Sequence, residues 1–305
     1  MLAGSAQGLA MDSNVALIGF GEAGVTFASA GAWEQAARVF DRKTDEPSAL
    51  DAKQADYAAA GVQGCETLAQ ALAGADLVLS LVTADQALAV AQQAAEVIAP
   101  RTLFCDCNSV APPTKQAAAA AIEATGGHYV DVAVMAPVNP ARLNVPLLLS
   151  GAHAEQAAQR LGALGFANLR VVGDAVGRAS SIKMIRSVMV KGMEALTAEC
   201  VLAAQAADVL DEVLASLDAS EKPKLWAERA DYKLDRMLVH GVRRAAEMEE
   251  VVKTLEALGT GALLTRGTVA RQQALGTLGI APPPEGLTAK IDAIQNTQNR
   301  EADPA

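Results

Sequence analysis

Aromatic side chains are scarce in this chain of 305 residues: Phe, Tyr and Trp make up 3%, against 51% for apolar residues as a whole. A core with so few rings has to be filled by small aliphatic side chains, chiefly alanine, which lets helices approach closely. Cations are also in the minority, 25 Lys and Arg against 35 Asp and Glu, a net charge of −10. Nucleic acid and anionic membrane both repel such a chain and are excluded as expected partners. A small anion is not excluded, because a local basic pocket overrides the global charge. The four cysteines, Cys65, Cys105, Cys107 and Cys200, form no C-x-x-C pair, and the three histidines complete no ligand pattern, so no metal site is expected. The thiols read as free and buried in a reducing cytoplasm. No uncharged apolar run reaches 18 residues, so no membrane-spanning helix is expected. Residues 1–13 have neither the basic start nor the apolar core of a secretion signal. They read as a disordered extension, with Met11 a second possible start.

What is present begins with an apolar run, Val15 to Ile18, leading into Gly19-Phe20-Gly21-Glu22-Ala23-Gly24 and then a helical pattern. Gly19 permits the tight strand-to-helix turn, Gly21 lets backbone N–H groups approach a pyrophosphate, and Gly24 lets the helix pack close to the strand. The helix N-terminus then offers unpaired N–H groups and a partial positive charge. A second apolar run, residues 37–40, ends in Asp41, placed to accept hydrogen bonds from an adenosine ribose. The spacing predicts a dinucleotide site. Asp41 favours NAD over NADP, since its charge opposes a 2′-phosphate, while Arg42 and Lys43 are the features that would serve NADP.

Downstream, strand-like and helix-like segments alternate as far as residue 172. Strands are expected at 61–64, 75–82, 102–106, 128–135, 145–149 and 168–172, with helices at 49–60, 66–73, 84–98, 112–124 and 153–164. This is the pattern of a doubly wound, Rossmann-type parallel α/β sheet, assigned to residues 14–175. From Gly177 onward only helical period remains. A long helix over 177–206 joins the sheet domain to an all-helical domain, residues 176–294. Further helices are expected at 208–217, 222–239, 241–258, 260–274 and 286–294, then a frayed tail at 295–305.

Ligands of such sheets sit beyond the carboxyl ends of the strands. Val82 and Thr83, Asn108 and Ser109, and Met135, Ala136 and Pro137 fall there. On the long helix, Ser180, Lys183, Ser187, Lys191 and Glu194 share a face at spacings of 3, 4, 4 and 3. Spacing alone reads this as a solvated polar stripe, opposite an apolar face of Ile182, Ile185, Met189, Met193, Leu196 and Cys200. A lysine in the stripe is also a candidate acid/base. His240, Arg243, Arg244 and Glu247 form a second polar face. Its arginines suit either a carboxylate ligand or an intrahelical ion pair.

Together these residues resemble the β-hydroxyacid dehydrogenase superfamily, which includes 3-hydroxyisobutyrate and 6-phosphogluconate dehydrogenases, over about residues 14–275. The resemblance lies in Ile18 to Gly24 with Asp41, in the strand carrying Asp131, and in Gly173 to Gly177 followed by Lys183. Residues 183–194 and 243–250 further resemble a 6-phosphogluconate dehydrogenase-like branch with a C-terminal domain of unknown function. The resemblance implies an NAD(P)-dependent dehydrogenase acting on a hydroxylated, carboxylated small metabolite, with Lys183 as general acid/base. It also places Met135, Ala136 and Pro137 at the substrate loop. In that reading Ser109 and Ser187 orient the substrate, and Arg243 or Arg244, on the face shared with His240, holds its far carboxylate. The Ala- and Leu-rich helical domain is expected to form a homodimer. Two features depart from the family. Its Ser-Gly-Gly loop reads Met135-Ala136-Pro137 here, and the asparagine one turn after the lysine is Ser187. The Ala-Pro loop is closer to imine reductases, so an NADPH-dependent imine or ketone reductase is one alternative. A sensor that binds the dinucleotide without turnover is another.

Overall fold

Strand β1 (Val15–Ile18) sends alternate side chains into two apolar clusters. Val15 and Leu17 join Val39, Leu77, Leu79 and Leu103 on one face. Ala16 and Ile18 join Val78, Phe104 and Tyr129 on the other. The period of two along a strand therefore places an apolar layer on both faces, which is why the run is apolar throughout. The computed structural model describes residues 14–31, 33, 37–206, 208–220, 225–257 and 262–302. The expected extension at 1–13 and the last three residues of the expected tail lie outside them.

β1 pairs in parallel with β2 (Ala37–Phe40) and β4 (Leu77–Ser80), Val15 standing opposite Ala37 and Leu77. β3 (Gln63–Gly64), β5 (Leu103–Asp106), β6 (His128–Val134), β7 (Leu147–Ser150) and β8 (Leu169–Val171) complete an eight-stranded sheet of order β3-β2-β1-β4-β5-β6-β7-β8. Six helices alternate with the strands: α1 (Glu22–Gly31), α2 (Pro47–Ala60), α3 (Leu68–Leu72), α4 (Ala87–Ala95), α5 (Pro112–Glu123) and α6 (Ala154–Ala163). The fold is the doubly wound α/β sheet that the alternation predicts, with one correction. β7 runs antiparallel to β6, Asp131 opposite Ser150. The link from Met135 to Pro146 carries only a 3-10 turn at Arg142–Asn144. Without a crossover helix the chain turns back instead of returning in parallel.

Five helices follow: α7 (Arg178–Ala206), α8 (Leu210–Ser220), α9 (Trp226–Ala257), α10 (Leu263–Gly276) and α11 (Leu287–Ala302). Two differ from expectation. Residues 226–257 are one helix, where a break was expected at His240. Gly241, just after the expected break, serves a close helix crossing. A Cβ there would lie 2.3 Å from the Gln272 carbonyl oxygen and 2.7 Å from Gly276 Cα on α10. α11 continues to Ala302 where fraying was expected after 294. Residues 295–302 hold no Gly or Pro to stop it, and Ile291 and Ile294 anchor it in a cluster with Leu234, Met237, Leu238 and Leu275.

The chain forms two compact units. One is residues 1–108 with 112–180, the other Ser109–Ala111 with 181–305. The expected boundary lay at 175/176, with 109–111 inside the sheet domain. Among the described residues no helix is long and apolar enough to cross a membrane, and Cys65, Cys105 and Cys107 are buried free thiols. The side chain of Cys200 lies outside the described residues.

Candidate active site

In the sheet unit the glycine-rich turn is built as its spacing demands. Gly19 has φ +88°, and a Cβ on it would lie 2.7 Å from the Leu81 carbonyl oxygen and 3.0 Å from Val82 Cγ1 at the end of β4. A Cβ on Gly24 would lie 2.9 Å from the Gly19 carbonyl oxygen. At Gly21 a Cβ would meet nothing within 4 Å, so the turn opens onto free space there. α1 begins at Glu22, and the first-turn N–H groups of Glu22, Ala23 and Gly24 are those a helix leaves unpartnered. Phe20 contributes differently: its side chain is fully buried and packs on Tyr57 with ring centroids 5.2 Å apart. Its N–H donates to Asp41 Oδ2 at 2.7 Å, and its carbonyl accepts from Lys53 Nζ at 2.8 Å.

Asp41 is held at the end of β2 by that bond and by Lys43 N–H, which donates to Oδ1 at 3.0 Å and starts a 3-10 turn. Carboxylate oxygens accept more than one hydrogen bond, so both retain capacity for ribose hydroxyls. Arg42 Nη1 donates to Gln86 Oε1 at 2.5 Å. The buried Tyr57 hydroxyl has no hydrogen-bond partner. Burial, and the Asp41 charge beside it, push its phenol well up. Val82 is half-buried and Thr83 exposed at the end of β4. At the end of β5 the Asn108 side chain is buried. Its Nδ2 donates to Ser80 Oγ at 2.9 Å, while its Oδ1 has no partner. An open glycine turn, a fixed carboxylate and this unpartnered buried acceptor fit a dinucleotide lying along the strand ends.

Beneath this edge lies a buried charge cluster that the sequence reading missed. Lys115 Nζ of α5 donates to the Asp106 carbonyl oxygen at 2.6 Å and pairs with Asp106 Oδ1 at 3.0 Å and Asp131 Oδ1 at 3.5 Å. Tyr129 donates to Asp106 Oδ2 at 2.6 Å, and Asp106 Oδ1 accepts Asn108 N–H at 2.9 Å. Asp131 Oδ2 accepts Ser150 Oγ at 3.2 Å and the N–H groups of Gly177 and Ser180 at 3.1 and 3.0 Å, so it caps the start of α7. Burial pushes the Lys115 ammonium down, but the two carboxylates outweigh it and hold it above the ordinary lysine value. The one available signal was that Lys115 is the sole charge between Asp106 and Glu123. The loop after β6 is anchored by buried Val138 and Leu143. Asn139 Nδ2 also donates to Thr26 Oγ1 at 3.2 Å. Met135 is half-buried, and Ala136 and Pro137 are exposed.

In the helical unit Lys183 Nζ donates to Ser109 Oγ, and Glu250 Oε2 accepts Ala111 N–H at 3.0 Å. Residues 109–111 are thus gripped by α7 and α9. Ser187 donates to the Lys183 carbonyl oxygen at 2.9 Å, so its proton serves the helix and its lone pairs are what it can offer a ligand. The polar stripe of α7 is not solvated. Ser187 is 6% exposed, Lys191 5% and Glu194 3%, whereas Met189 is 63% exposed and Ile185 49%. α9 and α10 supply the reason. Lys191 pairs with Glu247, and Arg244 pairs with Glu194, which also accepts Gln272 Nε2 at 3.0 Å. Arg244 is therefore engaged inside the unit by Glu194. Arg243, half-exposed, donates to Glu247 Oε1 at 2.5 Å. His240 is half-buried on α9. Burial raises the Glu247 carboxyl, but the Lys191, Arg243 and Lys183 cations overcome this and hold it at about 2. No cluster of three or more metal-binding side chains occurs among the described residues.

Residues 14–165 match the NAD binding domain of 6-phosphogluconate dehydrogenase, and residues 204–275 match a domain of unknown function, DUF1932. A conserved hypothetical protein of Sinorhizobium meliloti is 38% identical, with 94% of this chain and 97% of its own covered and a TM-score of 0.71. A second conserved protein of unknown function, described as structurally similar to 3-hydroxyacid dehydrogenases, is 27% identical with a TM-score of 0.62, covering 94% of this chain and 98% of its own. The 3-hydroxyisobutyrate dehydrogenase of Mycobacterium tuberculosis shares the fold at 17% identity and a TM-score of 0.67, covering 93% and 98% of the two chains. With these matches laid over the glycine turn, Asp41 and the long helix carrying Lys183, the chain belongs to the β-hydroxyacid dehydrogenase superfamily, in the branch that joins a 6-phosphogluconate dehydrogenase-type NAD-binding domain to a C-terminal domain of unknown function.

Proposed function

We propose that the protein is an NAD(P)-dependent dehydrogenase, with NAD preferred, that acts on a hydroxylated and carboxylated small metabolite and uses Lys183 as general acid/base. The observation that carries this reading is the step from Asn108 to Ser109. One residue presents a buried, unpartnered acceptor in the dinucleotide-binding unit, and the next has its hydroxyl bonded to Lys183. Bound cofactor supplies hydride acceptance and donation at its nicotinamide ring.

The protein's own groups do the rest. Gly21, Glu22, Ala23 and Gly24 receive the pyrophosphate, Asp41 the ribose hydroxyls, and Val82, Thr83 and Asn108 the nicotinamide end. In oxidation Lys183 takes the substrate hydroxyl proton, and in reduction it returns it. Ser109 steers the ammonium and the Ser187 lone pairs accept from the hydroxyl. The outer edge of Arg243 is the cation for a distant carboxylate, with His240 beside it on α9 and Met135, Ala136 and Pro137 as the loop that selects the substrate. Arg244, bound to Glu194, is left out of this assignment. The exposed Ile185, Met189 and Met193 of α7 and Val239 and Val242 of α9 support a homodimer through the helical unit. Buried free thiols suit a cytoplasmic setting.

The test is to titrate NADH and NADPH separately by nicotinamide fluorescence, then to screen hydroxy acids with the preferred cofactor in wild type and Lys183→Ala. The expected result is tighter NADH binding, unchanged in the variant, with oxidation slowed roughly 10²–10⁴-fold. A variant that keeps most of its rate refutes Lys183 as acid/base and moves the assignment to imine reduction. Tight binding with no turnover on any substrate moves it to a sensor.

A further inference from the structure

The ion pairs under Lys183 have a chemical consequence beyond holding two helices together. α7 and α9 run antiparallel. Reading down α7, the segment beside Lys183 faces Glu250, Lys191 meets Glu247, and Glu194 meets Arg244. Met184 packs with Met248 and Val251, with Val269 of α10 against them, and closes the apolar side of the same contact. Helical side chains lean toward the N-terminus of their helix, so Lys191 leans back toward the turn of Ser187 and Lys183. Among the described residues, the charged groups recorded around this stretch include Lys191 on α7 and Arg243, Glu247 and Glu250 on α9. Glu250 is partly satisfied by Lys253 and by Ala111 N–H. α10 contributes the neutral Gln272, and residues 109–111 contribute the Ser109 hydroxyl.

We propose that Glu247, fixed by Lys191, is a positioning residue for Lys183 that sets the pH at which this lysine exchanges its proton. The inference rests on the reading of Lys183 as acid/base only for its catalytic meaning; the electrostatic coupling stands without it. Coupling between titrating groups is reciprocal. The Lys183 charge helps keep Glu247 ionised, so Glu247 must favour the Lys183 ammonium to the same extent. Lys191 and Arg243 act the opposite way, as nearby cations that oppose it. The pair is thus a balance, an anion supplied by α9 and partly neutralised by a cation from α7. Removing either member tips it in a known direction. A salt bridge that only held the helices together would shift stability in both variants and move the Lys183 titration in neither.

The experiment measures the Lys183 titration without any substrate. Full-length protein is labelled briefly with trace acetic anhydride at a series of pH values, and acetylation of the Lys183 peptide is quantified by mass spectrometry. In Glu247→Gln the midpoint falls by about one pH unit, and in Lys191→Met it rises by a similar amount, the range expected for one charge at close approach. Arg243→Gln, half-exposed and so tolerant of replacement, raises it less and serves if either buried variant fails to fold. Midpoints that coincide with wild type, or that move the same way in Glu247→Gln and Lys191→Met, overturn the proposal. A pH–rate profile on the same proteins separates the two ideas. Labelling midpoints that shift while the rate profile stays fixed leave the positioning pair standing and remove Lys183 from the acid/base role.

Discussion

Lys115→Met is the perturbation whose outcome the structure constrains most tightly. The methionine fills most of the lysine's volume but removes the ammonium from between Asp106 and Asp131, all three side chains being at most 1% exposed. Asp106 keeps the Tyr129 hydroxyl and Asn108 N–H. Asp131 Oδ2 keeps its three donors, but Asp131 Oδ1 has no hydrogen bond among the described residues and loses the Lys115 ammonium paired with it. Breaking a buried pair by deleting one partner costs about 3–5 kcal/mol, because the remaining charge stays uncompensated. At ~2–4 °C per kcal/mol for a unit of this size, the sheet transition should fall by roughly 6–20 °C in differential scanning calorimetry. The loss should shrink as the buffer is acidified, since protonating a carboxylate removes the uncompensated charge. Adding Asp131→Asn to Lys115→Met should recover stability, although Asp131→Asn alone destabilises. A Lys115→Met protein within about 1 kcal/mol of wild type, or a double variant no better than the single, would refute the account of the cluster as a compensated charge set.

Gly241→Ala should separate α9 from α10, because the added carbon meets backbone atoms on the facing helix at 2.3 and 2.7 Å; an overpacking loss of about 1–3 kcal/mol in urea unfolding of the helical unit is expected. Asp41→Asn should weaken NADH more than NADPH in a fluorescence titration, since it removes the charge proposed to receive the ribose and loosens the Phe20 N–H bond at 2.7 Å; equal weakening of both would count against Asp41 as the discriminating group. His128 stacks on His153 with ring centroids 3.6 Å apart, and burial, then the His153 and Arg101 charges, hold its imidazole below the ordinary 6.5. A depressed folded-state value favours the neutral ring, so its contribution to stability is complete above about pH 6.5 and is lost as the pH falls through the folded-state value. Melting temperatures between pH 7.5 and 5 should fall less steeply in His128→Gln than in wild type.

Much of the sheet unit was legible because its signals are local. Alternation within four residues sets the faces of β1, and Gly19 and Gly24 answer to constraints within the turn itself or the strand beside it. The antiparallel β7 was less so, since nothing in its residues states a direction; that follows from the lack of a helix between Met135 and Pro146. The long helix shows the limit of periodicity. Its spacing separated a polar face from an apolar one but read Ser187, Lys191 and Glu194 as solvated, where they are buried while Ile185, Met189 and Met193 are exposed. The partners that cover Lys191 and Glu194 stand 56 and 50 residues away, on a helix whose own polar face carries matching charges. The expected break at residue 240 failed for a related reason: Gly241 is buried against Gln272 and Gly276 of α10, partners 31 and 35 residues away that continue the helix past this point. Lys115 was visible as a lone charge in an alanine-rich helix, but its partners lie on two strands and one of them, Asp131, was already read for another purpose.

The membership of Ser109, Val110 and Ala111 in the helical unit bears on how genes of this family can recombine. A crossover placed at the start of α7, where the sequence texture changes, looks like a clean exchange of domains. It would in fact match one parent's 109–111 with the other parent's α7 and α9. Chimaeras made that way should perform poorly unless the tripeptide travels with the helices that hold it, so substrate range in this branch is expected to be inherited in two pieces, one of them only three codons long.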